Sequence, residues 1–314
     1  MILVRRYCEQ DESIWNRFNA ESKNSLFMFD RKYMDYHKDR FLDHSLIFYN
    51  DDKIVALLPM CERDNVLYSH GGLTYGGFIT DSSMKQHTMN DCFDELIKYA
   101  KENSFTSIVY KCIPHIYHKL AAEEDRYSLY AHGAHVATID ASTYLDFDNM
   151  PKMPKGRKAQ ISRARREGVE VRELFDAEDY NTFIDLENSV LSERHDTKAV
   201  HSGAELKLLH DNFPQNIHLF GAFKENKMIA GTVLFEYDSV IHTQYMAANE
   251  EARTIGALDL TISTVIEIFK PQKKWLDFGI STEHGKIYLN EGLISQKEGF
   301  GGRTGVYEIW NIEI

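Results

Sequence analysis

IHLFGAFKENKMIAGTVLFEYDSVIHTQYMAA, residues 217–248, decides the fold. Its apolar runs are rich in β-branched and aromatic residues. The breaks between them are short and polar: KENK at 224–227 and Tyr237-Asp238-Ser239. That pattern predicts three consecutive antiparallel strands. The stretch NEEARTIGALD (249–259) is polar, contains a glycine and reads as a loop. Leu258, Ile262, Val265, Ile266 and Phe269 then recur at helical spacing, so LTISTVIEIFK forms an amphipathic helix. Pro271 helps to stop it. WLDFGIS (275–281) is the next strand, LISQKEGFGGR (293–303) closes the block, and GVYEIWNIEI (305–314) is a last strand.

The junction before the helix carries a chemical expectation. A helix start offers backbone N–H groups without intrahelical acceptors and the positive end of the helix dipole. Both suit a phosphate-bearing ligand. The plainer alternative is a surface loop followed by a helix cap.

Composition bounds the rest. With 314 residues, 43% of them hydrophobic, the chain has room for two ordinary domains. No run approaches the roughly 18–20 apolar residues that cross a bilayer. MILVRRYCEQDES at the N-terminus has no apolar signal core. The four cysteines (Cys8, Cys61, Cys92, Cys112) are widely spaced and form no metal pattern, which points to thiols in a reducing cytoplasm. The fourteen histidines show no paired metal-ligand spacing. A net charge of −12 argues against broad nucleic-acid binding, since phosphate neutralisation needs clustered cations.

From the N-terminus, LVRRY reads as a strand and DESIWNRFNAES as a short helix. Residues 25–41 mix aromatic and charged side chains, either packing beneath a domain edge or forming an acceptor-binding wall. HSLIFYNDDKIVALLPMCERDNVLYSHGG gives three strands, LTYGGFITD a glycine-containing loop. MNDCFDELIKYAKENS is an amphipathic helix with Met89, Cys92, Phe93, Leu96, Ile97 and Ala100 on one face. FTSIVYKCIP is the following strand. This order repeats that of residues 217–281. Lys53-Ile54-Val55-Ala56 aligns with Lys227-Met228-Ile229-Ala230, and at the same spacing Asp64 and Val66 align with Asp238 and Val240. An internal duplication is therefore expected, with domains at 1–148 and 149–314. Near the start of the second copy lie eight Lys/Arg against two Glu between Pro151 and Arg172, a net +6. The helix there runs from about Arg157 to Glu167, with Gly168 at its end. A solvated charged face and a site for a phosphorylated substrate are both open.

Taken together, these motifs resemble the GNAT N-acyltransferase superfamily, and within it the tandem FemAB-type branch. The resemblance rests on the duplication, LTYGGFITD, KGRKAQISRARREGVEV, WLDFGIS and LISQKEGFGG. It implies an α/β (α+β) chain of two GNAT-like domains with mixed, mostly antiparallel sheets. It also implies an N-acyltransferase acting on an amine of a sugar- or peptide-linked cell-envelope precursor, with acetyl-CoA or another acyl-CoA as donor. Aminoacyl transfer from charged tRNA is the alternative within the class. A non-catalytic binding module with the same fold is the alternative outside it. Arg253, Thr254, Ile255, Gly256 and Ala257 resemble the donor pyrophosphate loop, which departs from the family at Leu258, where a small residue is usual. By the same resemblance Lys297 falls at the acyl-transfer centre, Asp81 near the N-domain acidic residue, and Arg157 where an acceptor phosphate is met. The loop YGGFIT lacks the Arg and Pro of the family, and no coiled-coil arm is inserted in the second domain.

Acyl transfer to an amine requires loss of a proton and stabilisation of a tetrahedral oxyanion. Lys297 supplies a cation for the second task. Asp81, Asp277 and Glu283 are base candidates, and Asp277, inside the apolar strand WLDFG, has a structural alternative at the strand end. His242 and Tyr245 alternate with apolar neighbours beside the donor loop, which makes Tyr245 a substrate-binding candidate. No nucleophile elbow is present, so direct attack by the acceptor amine is expected over a covalent intermediate.

Overall fold

The computed structural model describes residues 1–195, 198–282 and 287–314, with residues 193–195 described by backbone alone. Two compact units are formed, one by Met1–Asp140 with Val306–Ile314 and one by Ala141–Gly305. Both mix helices with mostly antiparallel sheet.

In the second unit Glu170–Leu174 pairs antiparallel with Ile217–Lys224, which pairs with Lys227–Glu236, which pairs with Val240–Ala248. Glu225 and Asn226, at φ 48° and 66°, make the first hairpin turn, as a two-residue loop that follows strand twist requires. The helix Ala257–Phe269 then crosses over, so that Trp275–Ile280 joins Val240–Ala248 in parallel. On its other side Trp275–Ile280 meets residues 141–146 antiparallel. The helix buries the five expected apolar side chains against Phe220, Ala222, Leu234, Ile241 and Leu276. Full burial of each such side chain stabilises by about 1.5–3 kcal/mol.

The first unit repeats this plan. Ile2–Arg6, Leu46–Asn50 and Lys53–Leu58 form consecutive antiparallel pairs. The hairpin irregularity recurs at the aligned place: register shifts between Phe48 and Tyr49 in one copy and between Ala222 and Phe223 in the other. A bulge is a local departure that alignment of apolar residues alone does not demand, so its recurrence marks a shared plan. The crossover helix is Gln86–Glu102, which buries Met89, Cys92, Phe93, Leu96 and Ala100. It leads to Ser107–Lys111, parallel to Val66–Tyr68.

One strand differs between the copies. Val240–Ala248 is continuous, whereas its counterpart is split into Val66–Tyr68 and Ile79–Thr80. The pairs Ala230–Ala248 and Gly231–Ala247 correspond to Ala56–Thr80 and Leu57–Ile79, so the two halves keep their places. Between them Ser69–Phe78 folds back as a loop. Lys111 fixes it by donating to the carbonyls of His70 (3.2 Å) and Leu73 (2.6 Å). A Cβ on Gly76 would come within 2.1 Å of the Ser69 carbonyl oxygen, and Gly77 adopts φ +84°. Both glycines of this turn are thus required by close approach or conformation.

The expected loop at 249–259 is corrected. Glu250–Ile255 is a short helix. Asn249 caps it by accepting from Ala252 N, and Glu250 and Glu251 complement its first turn. Polar composition hid good helix formers and a cap. The segment between Leu174 and Ile217 adds the helices Ala177–His195 and Gly203–Asn212, the second opened by a Ser202–Glu205 capping box. The basic helix spans Lys155–Arg166, with Gly168 at φ +75° just beyond it. Among the described residues no helix is long and apolar enough to cross a membrane.

Candidate active site

In the second unit, two neighbouring strands part company. Their parallel pairing consists of Val240–Trp275, Ile241–Leu276 and His242–Asp277. From Thr243 onward one strand stays with Lys227–Glu236 and the other with residues 141–146, and no pair joins them among the described residues. The parting coincides with a register shift: Leu234 faces Thr243 and Val233 faces Tyr245, which leaves Gln244 as an extra residue. Such a bulge bends its strand and ends regular pairing. An unpaired strand edge is where an extended ligand can add backbone hydrogen bonds of its own.

The two faces beside this parting differ in character. Ile241, Met246 and Leu276 belong to the core under the helix Ala257–Phe269. Alternation, reset by the bulge, places His242, Tyr245 and Asp277 on the opposite face. There the helix Ala177–His195 packs against Val240–Ala248. Tyr245 holds its hydroxyl 2.6 Å from His201 Nδ1, and burial pushes its pKa up to about 12.

Asp277 and Lys297 shape the end of the parted strand. Asp277, fully buried, accepts from Ser142 Oγ (3.0 Å) and from Gly279 N (2.8 Å). Its Oδ2 lies 3.2 Å from His242 Nδ1. Gly279 takes φ +71°, open to glycine and strained for most side chains. Lys297, 2% exposed on the helix Glu291–Glu298, donates through Nζ to the carbonyls of Gly279 (2.9 Å) and Ile280 (2.6 Å). Burial pulls its pKa down to about 8, against the opposing field of Asp277. An ammonium has three protons, and these two bonds engage two of them.

At the helix start, Gly256 sits at φ +81°, and Leu260 N bonds its carbonyl. The N–H groups of Ala257, Leu258 and Asp259 therefore lie in the first turn, which has no intrahelical acceptors. A Cβ on Gly256 would also approach the Gln160 carbonyl to 2.7 Å, so the basic helix packs directly on this corner. Leu258, the departure noted in the sequence, turns its side chain into the core. Ile255 and Ala257 do the same. Arg253 donates to the Ala248 carbonyl (2.8 Å) and Thr254 Oγ1 to the Glu250 carbonyl (3.0 Å).

Arg157 has internal partners. It forms an ion pair with Asp259, donates to the Gln296 carbonyl (2.9 Å) and lies 4.5 Å over the Phe300 ring. It thus ties the basic helix to the starts and ends of two others. Asp81 belongs to the first unit. Its carboxylate accepts from Ser83 N (2.9 Å) and Ser83 Oγ (2.6 Å) and lies 3.7 Å from Lys53 Nζ. Glu283 lies outside the described residues.

In the second unit a buried acid escaped the sequence reading. Glu187 is 7% exposed on the helix Ala177–His195, and burial raises its pKa to about 7. A signal was present: Tyr180, Phe183, Ile184 and Glu187 follow the spacing of one helix face, with an acid in an apolar position.

Residues 155–286 match the family described as "Acetyltransferase (GNAT) domain". No curated protein matches the sequence. Among solved structures, FemX is similar at TM-score 0.67 and 12% identity, with 98% of this chain and 96% of FemX covered. A tandem GNAT protein from the clavulanic acid biosynthesis pathway is similar at TM-score 0.57 and 11% identity, with 100% and 98% covered. L-PGS from Bacillus licheniformis is similar at TM-score 0.59 and 14% identity, with 82% and 81% covered. The chain has the tandem GNAT fold of FemAB-like proteins, with the acetyltransferase match in its second half.

Proposed function

We propose that the chain is an N-acyltransferase whose second unit binds an acyl-CoA and passes its acyl group to a primary amine. One observation carries the reading: the strands part after His242 and Asp277, in the unit whose crossover helix opens at Gly256 with first-turn N–H groups that lack intrahelical acceptors. The first-turn amides of Ala257, Leu258 and Asp259 would hold the donor's phosphates, and the parted strand edge its extended arm. The bound donor supplies an activated carbonyl. Lys297 then offers its remaining proton to the oxygen that becomes negative in the transition state, a contact typically worth about 2.7–4 kcal/mol when made by one donor.

The first unit supports the assignment by contrast. Where the second has a parted strand, the first has Ser69–Phe78 folded back and bound by Lys111. The acceptor is read as an amine on a sugar- or peptide-linked envelope precursor, on the strength of the FemAB-type resemblance. Calorimetric titration with acetyl-CoA tests the donor assignment, and thiol release with a panel of amino sugars and peptides tests transfer. Absence of acetyl-CoA binding, with labelled aminoacyl-tRNA retained on the protein, would replace the donor proposed here by the charged nucleic acid. Absence of both would favour a non-catalytic module.

A further inference from the structure

Direct attack by an amine needs a group that takes its proton. On the polar face beside the parted strands the buried His242 lies against Asp277 and the buried His201 against Tyr245, and three further groups stand with them. Tyr245 is held by His201, and its high pKa keeps it protonated at neutral pH. Asp277 is engaged by Ser142, Gly279 and His242. Glu187 is different: its Oε2 has no hydrogen-bond partner among the described residues, although the side chain is more than nine-tenths buried.

The buried His201 is hydrogen-bonded to Tyr245, and burial is what raises the pKa of Glu187. On the strand packed against its helix it is coupled electrostatically to Tyr245, the third residue past the last parallel pair. On the packed helix Gly203–Asn212, Lys207 is paired with Asp211, Glu205 bonds Ser202, and His210 Nδ1 bonds the Ile217 carbonyl. On Lys227–Glu236, Glu236 is taken by His218 and Lys273. A buried acid of this kind is neutral or charged with little bias near pH 7. An entering ammonium would pair with the charged form and then lose its proton to it.

We infer that Glu187 is the proton acceptor of the transfer reaction, its carboxylate receiving the ammonium proton of an amine held beside Tyr245. The inference rests on the acyl-transfer reading. The ammonium gives one proton to Glu187, and the resulting neutral amine attacks the acyl carbonyl. A carbon–nitrogen bond forms and the carbon–sulfur bond of the thioester breaks. The nitrogen's second proton leaves with the thiolate as thiol, and Glu187 returns its proton to solvent.

Two measurements separate this inference from the reading beneath it. The first needs no donor. Infrared difference spectra of the full chain, wild type against E187Q, give the titration midpoint of the Glu187 carboxyl. Methylammonium chloride is expected to lower that midpoint by about one pH unit or more relative to sodium chloride at equal ionic strength. An unchanged midpoint overturns the inference, whatever the donor proves to be. The second is thiol release from acetyl-CoA with methylamine or hydroxylamine as acceptor; hydroxylamine is largely uncharged at neutral pH and needs no base. E187Q should lose methylamine transfer by about 10²–10⁴-fold, keep hydroxylamine transfer within a few-fold and bind acetyl-CoA as wild type does. E187D should recover part of the methylamine rate. Equal losses with both amines at unchanged Tm, or no loss with either, overturn the assignment. A wild-type chain that binds no acetyl-CoA refutes the donor reading alone, and the infrared titration then decides Glu187.

Discussion

Lys297 Nζ lies 2.9 Å from the carbonyl oxygen of Gly279, the residue that Asp277 holds from the other side through its own N–H. The lysine therefore supports the parted strand in the resting protein, and on the proposed reading it also offers a proton to an oxyanion. Lys297→Met removes both the bonds and the charge. It should lower kcat with acyl-CoA affinity nearly kept, because an oxyanion contact exists only in the transition state. Steady-state kinetics beside direct donor titration would show this; a loss confined to donor affinity would deny the role.

The same lysine predicts a pH signature. Its pKa falls to about 8 in the folded chain, below the unfolded value of about 10.4. Between these values the unfolded chain holds the proton more firmly, so unfolding free energy rises with pH over this window through this group. Urea denaturation from pH 7 to 10.5 should show the rise in wild type and lose this share in Lys297→Met. Transfer activity should fall above pH 8 as the charged form disappears.

Arg157 is expected to act on stability first. Its ion pair with Asp259 is largely buried, and removing one partner of such a pair strands the other. Arg157→Ala should destabilise the second unit by about 3 kcal/mol, read by chemical denaturation. An effect on acceptor KM at unchanged stability would instead return Arg157 to the substrate.

Gly256 meets two constraints at once. Its φ of +81° and the 2.7 Å approach of the Gln160 carbonyl both exclude a side chain. Gly256→Val should cost about 2–4 kcal/mol, adding left-handed strain to a steric displacement. Acetyl-CoA affinity should fall with it, since the displaced corner carries the helix start. Unchanged Tm and affinity would contradict the packing described.

His218 gives a control remote from transfer. Burial alone would lower its pKa, but hydrogen bonds to Glu173 and Glu236 raise it to about 9. A raised histidine contributes stability fully below its unfolded pKa of about 6.5 and loses it as pH climbs through 9. His218→Gln should flatten that loss in denaturation curves from pH 6 to 10, leaving donor binding intact.

The hairpins, both crossover helices and the glycine after the basic helix were legible because they follow local rules. Alternation, the face shared by Met89, Cys92, Phe93 and Leu96, and a left-handed Gly168 need no tertiary knowledge. The corner at Gly256 is less legible: Glu250–Ile255 reads as a loop because its residues are polar, and Asn249, which caps it, is a residue type that turns favour as well. Arg157 looked like a free cation because the Asp259 that neutralises it is remote in sequence. Glu187 lies in the helix Ala177–His195, whose apolar positions are interrupted by acids and amides. For charged groups, partners are chosen by packing, and residue type alone does not name them.

The folded-back segment Ser69–Phe78 has a consequence for counting. A duplicated chain with two equivalent clefts would titrate with two equivalents of ligand. Here Ser69–Phe78 folds back in one copy where the other has a parted strand, so on the proposed reading saturation should come at a single equivalent of acyl-CoA per chain. On that reading the first half is free to vary its surface without disturbing transfer, the circumstance in which a duplicate acquires a second selectivity.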